Sequence, residues 1–234
     1  MRNLLAAVWT VCAATLAATV AQAQDNPVVI ELYTSQGCSS CPPADELMRE
    51  LAKMDDVIPL ALHVDYWDYI GWKDSFASPA FTKRQRSYAR AAGHRTIYTP
   101  QMIVGGVDNV VGYKPMKLAA LIQAHREKPR HDGLKIVRTG DTLSIACSPF
   151  GQTATPMVVQ LIRYVPEETV EIGRGENAGK TITYANIVTE WTNLGPWDGT
   201  GPLDLNVAAT GTDPLVVVLQ RSGHQEILAA ARLR

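Results

Sequence analysis

Cys38 and Cys41, in the run Cys38-Ser39-Ser40-Cys41-Pro42-Pro43, are the pair in this chain whose type and spacing best suit chemistry. Two thiols three positions apart can reach each other. At the start of a helix the first of them faces unpaired backbone N–H groups and the positive end of the helix dipole, which favours thiolate over thiol. A nucleophilic sulfur with a partner in reach is the minimum apparatus for disulfide exchange. The Cys38 thiolate would attack a substrate disulfide, a mixed disulfide would form, and Cys41 would displace the product. This reading needs Cys38 open to solvent. The same four residues also fit an inert structural disulfide or a zinc site, and both stay open at this level. His63 and His94 would be the histidines to complete a copper or zinc site with the sulfurs, yet neither has a diagnostic spacing to them, so no metal ligand and no dissociable cofactor is assigned.

Other side chains deserve weighing beside the pair. Asp65-Tyr66-Trp67-Asp68-Tyr69-Ile70-Gly71-Trp72 is rich in aromatics with polar tips, which suits a substrate groove with Tyr66 and Trp67 as contacts. It equally suits a packed loop whose shape Asp65 and Asp68 hold. Lys83, Arg84, Arg86 and Arg90 make one helix basic, for which a solvated face is the default explanation. Cys147 follows Leu143 and Ile145 at period two and reads as a buried, inert thiol. Gly173-Arg174-Gly175-Glu176-Asn177-Ala178-Gly179-Lys180 lacks the spacing of a phosphate loop and reads as a hairpin loop leaning on the first half of the chain.

The elements that must position these residues follow from periodicity. Residues 28–34 form an apolar, β-branched run broken only by Glu31, as expected of a strand covered on both faces. From Pro42, the residues Ala44, Leu47, Met48 and Leu51 recur at helical spacing, with Asp45 and Glu46 in the first turn. Residues 57–64 return to a strand, and a right-handed crossover makes the two strands parallel. Ser78-Pro79 starts a second helix that stops at Gly93, Thr99-Pro100 precedes a strand over 101–104, and Gly105-Gly106 turns it into a return strand ending at Val111. A third helix covers about 115–127. Residues 128–133 are polar and breaker-rich, and a domain boundary is expected there. Beyond it, alternating runs near 134–147, 157–165, 180–191 and 215–230 suggest an antiparallel sandwich over 134–234.

Gross features bound the class. Arg2, the apolar stretch from Leu4 to Val20 and the small residues of Ala21-Gln22-Ala23 read as a signal peptide cleaved after Ala23, so export to the periplasm or beyond is expected, with membrane contact only in transit. The mature chain then carries 21 basic and 23 acidic residues, which gives no field to attract nucleic acid. It keeps Cys38, Cys41 and Cys147, too few for a stapled framework.

The order β-α-β-α-β-β-α, with Cys-x-x-Cys between the first strand and helix and Thr-Pro before the third strand, resembles the thioredoxin fold over residues 27–127. The wording from Glu31 through Asp45, with His63-Val64-Asp65-Tyr66-Trp67-Asp68-Tyr69, is also similar to a secreted bacterial family of unknown function with a thioredoxin-like N-terminal part. The expected architecture is thus an α/β thioredoxin-like domain followed by an all-β sandwich-like domain. The resemblance implies that Cys38 attacks and Cys41 resolves; with export, the expected substrates are exported proteins or small thiols and disulfides. It implies a cis bond at Thr99-Pro100, with the Thr99 backbone facing substrate. It also implies a buried acid at Glu31 that takes a proton from the resolving cysteine; the plain alternative for that residue is an acid paired with a basic residue or pointing to solvent. Departures from thioredoxin itself are the Ser-Ser between the cysteines, the absence of an aromatic before Cys38 and one extra residue between Glu31 and the motif.

Overall fold

Val28–Thr34 forms β1, buried along its whole length, and the computed structural model describes residues 27–129, 131–152 and 154–234. The signal-like segment and its cleavage pattern lie outside the described residues. Side chains alternate across a strand, so Val28, Ile30 and Leu32 pack on one face of β1 while Val29, Glu31 and Tyr33 point to the other. β1 pairs in parallel with β2 (Val57–His63) through the crossover helix α1 (Pro42–Ala52), and antiparallel with β3 (Gln101–Val104). Helix α2 (Pro79–Ala91) starts at Ser78, whose Oγ accepts from the Ala80 N–H. Strand β4 (Asp108–Val111) returns from β3 after Gly105 and Gly106, both at positive φ, and α3 (Pro115–Arg126) follows.

The remaining strands are β5 (Lys135–Thr139), β6 (Thr142–Cys147), β7 (Met157–Glu171), β8 (Thr181–Trp197), β9 (Leu203–Ala208), β10 (Leu215–Arg221) and β11 (Ile227–Leu233). They form two facing layers, as expected, but one layer is not separate from the first sheet. Strands β7, β8, β10 and β11 extend the first sheet into one mixed eight-stranded sheet of order β11-β10-β7-β8-β2-β1-β3-β4, and β5-β6-β9 form a separate three-stranded sheet. The joint is narrow: β8 pairs with β2 at Ala61 and Ile187, and the Asn186 side chain donates to the Pro59 carbonyl at 2.8 Å. The outer strands also come round to the far turn, since the Ile227 N–H donates to the Gly105 carbonyl at 2.8 Å.

Three cores result. Helices α1 and α3 cover one face of the inner strands through Met48, Leu51, Leu118 and Ile122. The three-stranded sheet covers the outer strands, with Ile136, Leu143, Ile145 and Cys147 against Val159, Val217 and Ala231, so two sheets do face each other there. The third core, on the α2 side, draws from β1, β2 and β3 and equally from β7, β8, β10 and β11. The two halves therefore share a core across the β2–β8 joint. Each strand run expected from the sequence is present, and β9 adds one more.

Candidate functional site: the Cys38–Cys41 disulfide and its surroundings

Cys38 and Cys41 are bonded to each other, with Cα atoms 5.4 Å apart, and Cys41 is the N-cap residue of α1. Pro42 and Pro43 open the helix where no N–H is required of them. The motif leaves the carboxyl edge of β1, and the register Tyr33 to Gln101 brings Thr99 and Pro100 to that same end of the sheet. The Thr99-Pro100 bond is cis.

One expectation is corrected. Cys38 is 1% exposed and Cys41 0%, so in this disulfide form the leading sulfur is enclosed rather than open. The cover comes from two directions. Residues 67–70 lie against Gly37, where a Cβ would meet Ile70 Cδ1 at 3.0 Å and Trp67 Cβ at 3.3 Å. From the other side comes the tip of the β7–β8 hairpin. Asn177, itself buried, donates through Nδ2 to the carbonyls of Gln36 and Cys38, both at 2.9 Å, and the Lys180 ammonium donates to its Oδ1 at 2.8 Å. Beside it the Glu176 carboxylate accepts from the Ser39 N–H at 3.2 Å, and the Ser39 side chain together with this N–H lowers its pKa. The sequence placed this loop against the first half of the chain; the hydrogen bonds show which atoms it holds.

The aromatic segment is pinned as much as it is presented. Trp67 Nε1 donates to Thr99 Oγ1 at 2.7 Å, and Tyr66 donates to Gln85 at 3.2 Å. Burial pushes the Tyr66 phenol up to about 12. Asp65 accepts from Thr82, Asp68 accepts from the Asp74 N–H, and Tyr69, 80% exposed, stacks on Trp67. Trp67 thus touches both the Cys38 loop and Thr99, and these residues are brought together.

Glu31 is not. Its side chain leaves β1 on the α2 side, the opposite face from α1. There Arg84 Nε and Nη2 donate to its two oxygens at 2.7 and 2.8 Å, joined by Tyr33 at 2.9 Å and Tyr88 at 2.5 Å. Arg84 is consequently no solvated cation. It is 7% exposed, stacks 3.7 Å from the Trp191 ring and donates to Gln220 of β10 at 3.1 Å. Burial opposes its charge, but Glu31 outweighs that and raises its pKa. The paired-acid alternative describes this geometry.

On the α1 side a second polar group lies deeper, and the sequence reading passed over most of it. Asp45 is 2% exposed and accepts from Thr34 Oγ1 at 2.7 Å. Burial pushes its carboxyl up to about 7 against the pull of His63 and Thr34. His63 is fully buried with Nδ1 2.7 Å from Asp74, and its ring meets those of Phe76 and Tyr184 edge-on. The signal that could have exposed Asp45 is its place four residues after Cys41, on the same helical face. His94 lies in an exposed loop. Among the described residues no three His, Cys, Asp or Glu side chains are set to hold a metal ion. Cys147 is free and buried, which pushes its thiol up to about 12.

Residues 29–220 match a family described as "Protein of unknown function (DUF1223)". The chain belongs to the DUF1223 family. It is 33% identical to protein AGR_C_4864 from Agrobacterium tumefaciens, whose crystal structure superposes with a TM-score of 0.76 over 90% of this chain and 95% of that one. A more remote likeness, 13% identical with a TM-score of 0.56 over 89% of this chain and 75% of the other, is to HBP35 of Porphyromonas gingivalis and speaks to the fold alone. No curated protein matches the chain. What this DUF1223 protein does must therefore be argued from its own residues.

Proposed function

We propose that this DUF1223 protein is an exported thiol–disulfide exchange protein whose residues 27–127 form a thioredoxin-like unit. It acts on exported proteins or small thiols and disulfides through Cys38 and Cys41. The observation that carries the reading is the disulfide between a strand and the N-terminus of α1, with Cys41 capping the helix. Reduction of that bond leaves Cys38 at the positive end of the α1 dipole, which favours a thiolate, although Pro42 and Pro43 bring no N–H of their own. Cys38, enclosed in the disulfide form, attacks once the cover formed by residues 67–70 and the β7–β8 hairpin tip opens, and Cys41 resolves. Trp67 and Thr99, hydrogen-bonded to each other beside the motif, supply a surface for an extended substrate. The Arg2-led apolar segment supports export.

A second reading, an adaptor whose disulfide is structural, draws on the burial of both sulfurs. One experiment separates the two. Protein recovered from the exported fraction, with an N-terminus near Gln24, is equilibrated in a series of dithiothreitol and glutathione buffers. Exchange predicts a reversible two-electron couple in the folded protein, absent in Cys38→Ala. A bond that yields to thiols only after unfolding makes the disulfide structural.

A further inference from the structure

Helix α2 turns one face inward and leaves a basic face outside. Arg84, Gln85, Tyr88 and Ala89 are buried, while Lys83, Arg86 and Arg90 are exposed at spacings of three and four. After Ala91 the chain reverses. Gly93 takes a φ of +75°, in the left-handed region that favours glycine, and the His94 N–H donates to the Ala89 carbonyl at 2.7 Å. The returning segment is then tied back to the helix. Gln85 Nε2 donates to the Tyr98 carbonyl at 2.8 Å, and Asn109 Nδ2 donates to the Tyr98 hydroxyl at 2.6 Å. The reversal brings Arg95 to the cations of α2, so that Arg86, Arg90, His94, Arg95, Thr96 and Ile97 line one hollow of about 600 Å³.

No Asp or Glu lines this hollow. Among the described residues Arg86, Arg90 and Arg95 form no ion pair, whereas Arg49, Arg84, Arg126, Arg163 and Arg234 each do. The helix dipole accounts for a cation in the last turn, Arg90, but not for Arg86 a turn earlier. Like charges four apart on a helix repel, so the cluster is unfavourable until an anion joins it. Guanidinium forks match carboxylates two N–H bonds at a time, and a concave site suits a compact acidic group better than a flat surface. The position is as telling as the charge. The segment that lines the hollow runs on into Thr99-Pro100, and the three residues from Thr96 to Thr99 span at most about 10 Å. Thr99 is hydrogen-bonded to Trp67, which lies against Gly37 beside Cys38.

We propose that the hollow formed by Arg86, Arg90 and Arg95 docks an acidic segment of a polypeptide substrate, a few residues from the substrate cysteine. The proposal rests on the exchange reading and adds to it a substrate class: exported polypeptides with Asp or Glu near the reacting sulfur. Thr99 and Trp67 meet the chain around that sulfur, and the arginines hold the carboxylates beyond it.

The test uses the reduced full chain and three synthetic peptides. Each carries one cysteine as a mixed disulfide with thionitrobenzoate, and the residues three positions to either side are Glu, Gln or Lys. Cys38 attacks the peptide sulfur and thionitrobenzoate leaves with the electron pair, so its colour gives the second-order rate; buried Cys147 reacts on a slower scale. The Glu peptide should react at least about tenfold faster than the Gln peptide, and the Lys peptide more slowly than either. Salt at about 0.5 M should remove most of that spread. The double variant Arg86→Gln, Arg95→Gln should bring the Glu peptide down to the Gln rate. The double variant Arg86→Glu, Arg95→Glu should prefer the Lys peptide, in a protein shown to be folded by its melting transition. Lys83→Gln, outside the hollow, should keep the preference for Glu. Equal rates for the three peptides, or a preference that the arginine variants leave in place or that Lys83→Gln abolishes as fully, overturn the docking while exchange stands. A protein that ignores peptide charge yet sediments with phosphatidylglycerol vesicles gives the patch to a lipid surface and overturns the docking too. A folded, reduced protein that releases no thionitrobenzoate from any peptide overturns exchange, and the docking falls with it.

Discussion

Asp45 ties the stability of the molecule to pH. Its carboxyl titrates near 7 when folded and near 3.8 when not, because burial penalises the charge. The folded chain therefore binds this proton more tightly than the unfolded chain does. The resulting stabilisation is complete below about pH 4 and is lost as pH rises through 7, on the order of 4 kcal/mol in all. Asp74 contributes with the opposite sign, but its pKa is lowered, so its window lies below about pH 4 and does not overlap. Asp45→Asn, neutral throughout, should gain on the unaltered protein between pH 5 and pH 8. Thermal melts of both proteins at the two values should show their Tm difference moving in favour of Asn by more than about 5 °C. A difference independent of pH would mean that this carboxyl titrates like an exposed one. Neither this acid nor Arg84 was legible for what it is. In the sequence Asp45 is a first-turn acid suited to the helix dipole, and Arg84 is one of four cations on a helix. What gives each its role is a neighbour far along the chain, His63 and Tyr184 for one, Glu31 and Gln220 for the other.

At the scale of elements, hydrophobic period served well wherever a strand or helix is decided locally. The buried run of β1, the stripe of α1 and the Gly105-Gly106 turn all stand where their residues put them. Which strands pair is a different matter, since period fixes the face a side chain takes and not its partner across the ladder. Strands β7 and β8 read as members of a separate sandwich, yet their long hairpin reaches past the first sheet and closes on the disulfide loop. That closure makes access a property of the hairpin tip. Asn177→Ala removes two hydrogen bonds to the Gln36 and Cys38 carbonyls, each worth about 0.5–1.5 kcal/mol. Dithiothreitol should then reduce the Cys38–Cys41 bond roughly tenfold faster, read as thiol appearance under excess reductant at constant pH. An unchanged rate would place the barrier elsewhere, the 67–70 segment over Gly37 being the other cover.

For the molecule as a whole, the joint between the two halves is carried less by the narrow β2–β8 pairing than by what is buried across it. Glu31 and Arg84 lie on the first half. Their hydrogen-bonding and stacking partners Gln220 and Trp191 lie on the second, where Gln220 also donates to Tyr88 at 2.7 Å. Arg232 of β11 reaches back to the Val57 carbonyl at 3.0 Å, and the α2-side core takes side chains from both halves. Separating the halves would expose that core. It would also leave a buried ion pair without part of its shell, and incomplete compensation of such a pair is strongly destabilising. The chain should accordingly unfold as one cooperative unit, with calorimetric and van't Hoff enthalpies agreeing, despite its boundary-like residues 128–133. A fragment of residues 24–133, which keeps β1 to β4 and α1 to α3, should show no cooperative melt of its own. If that fragment melted sharply and kept a reducible disulfide, the first half would be an autonomous domain, and the second would be reduced to a cover for its site.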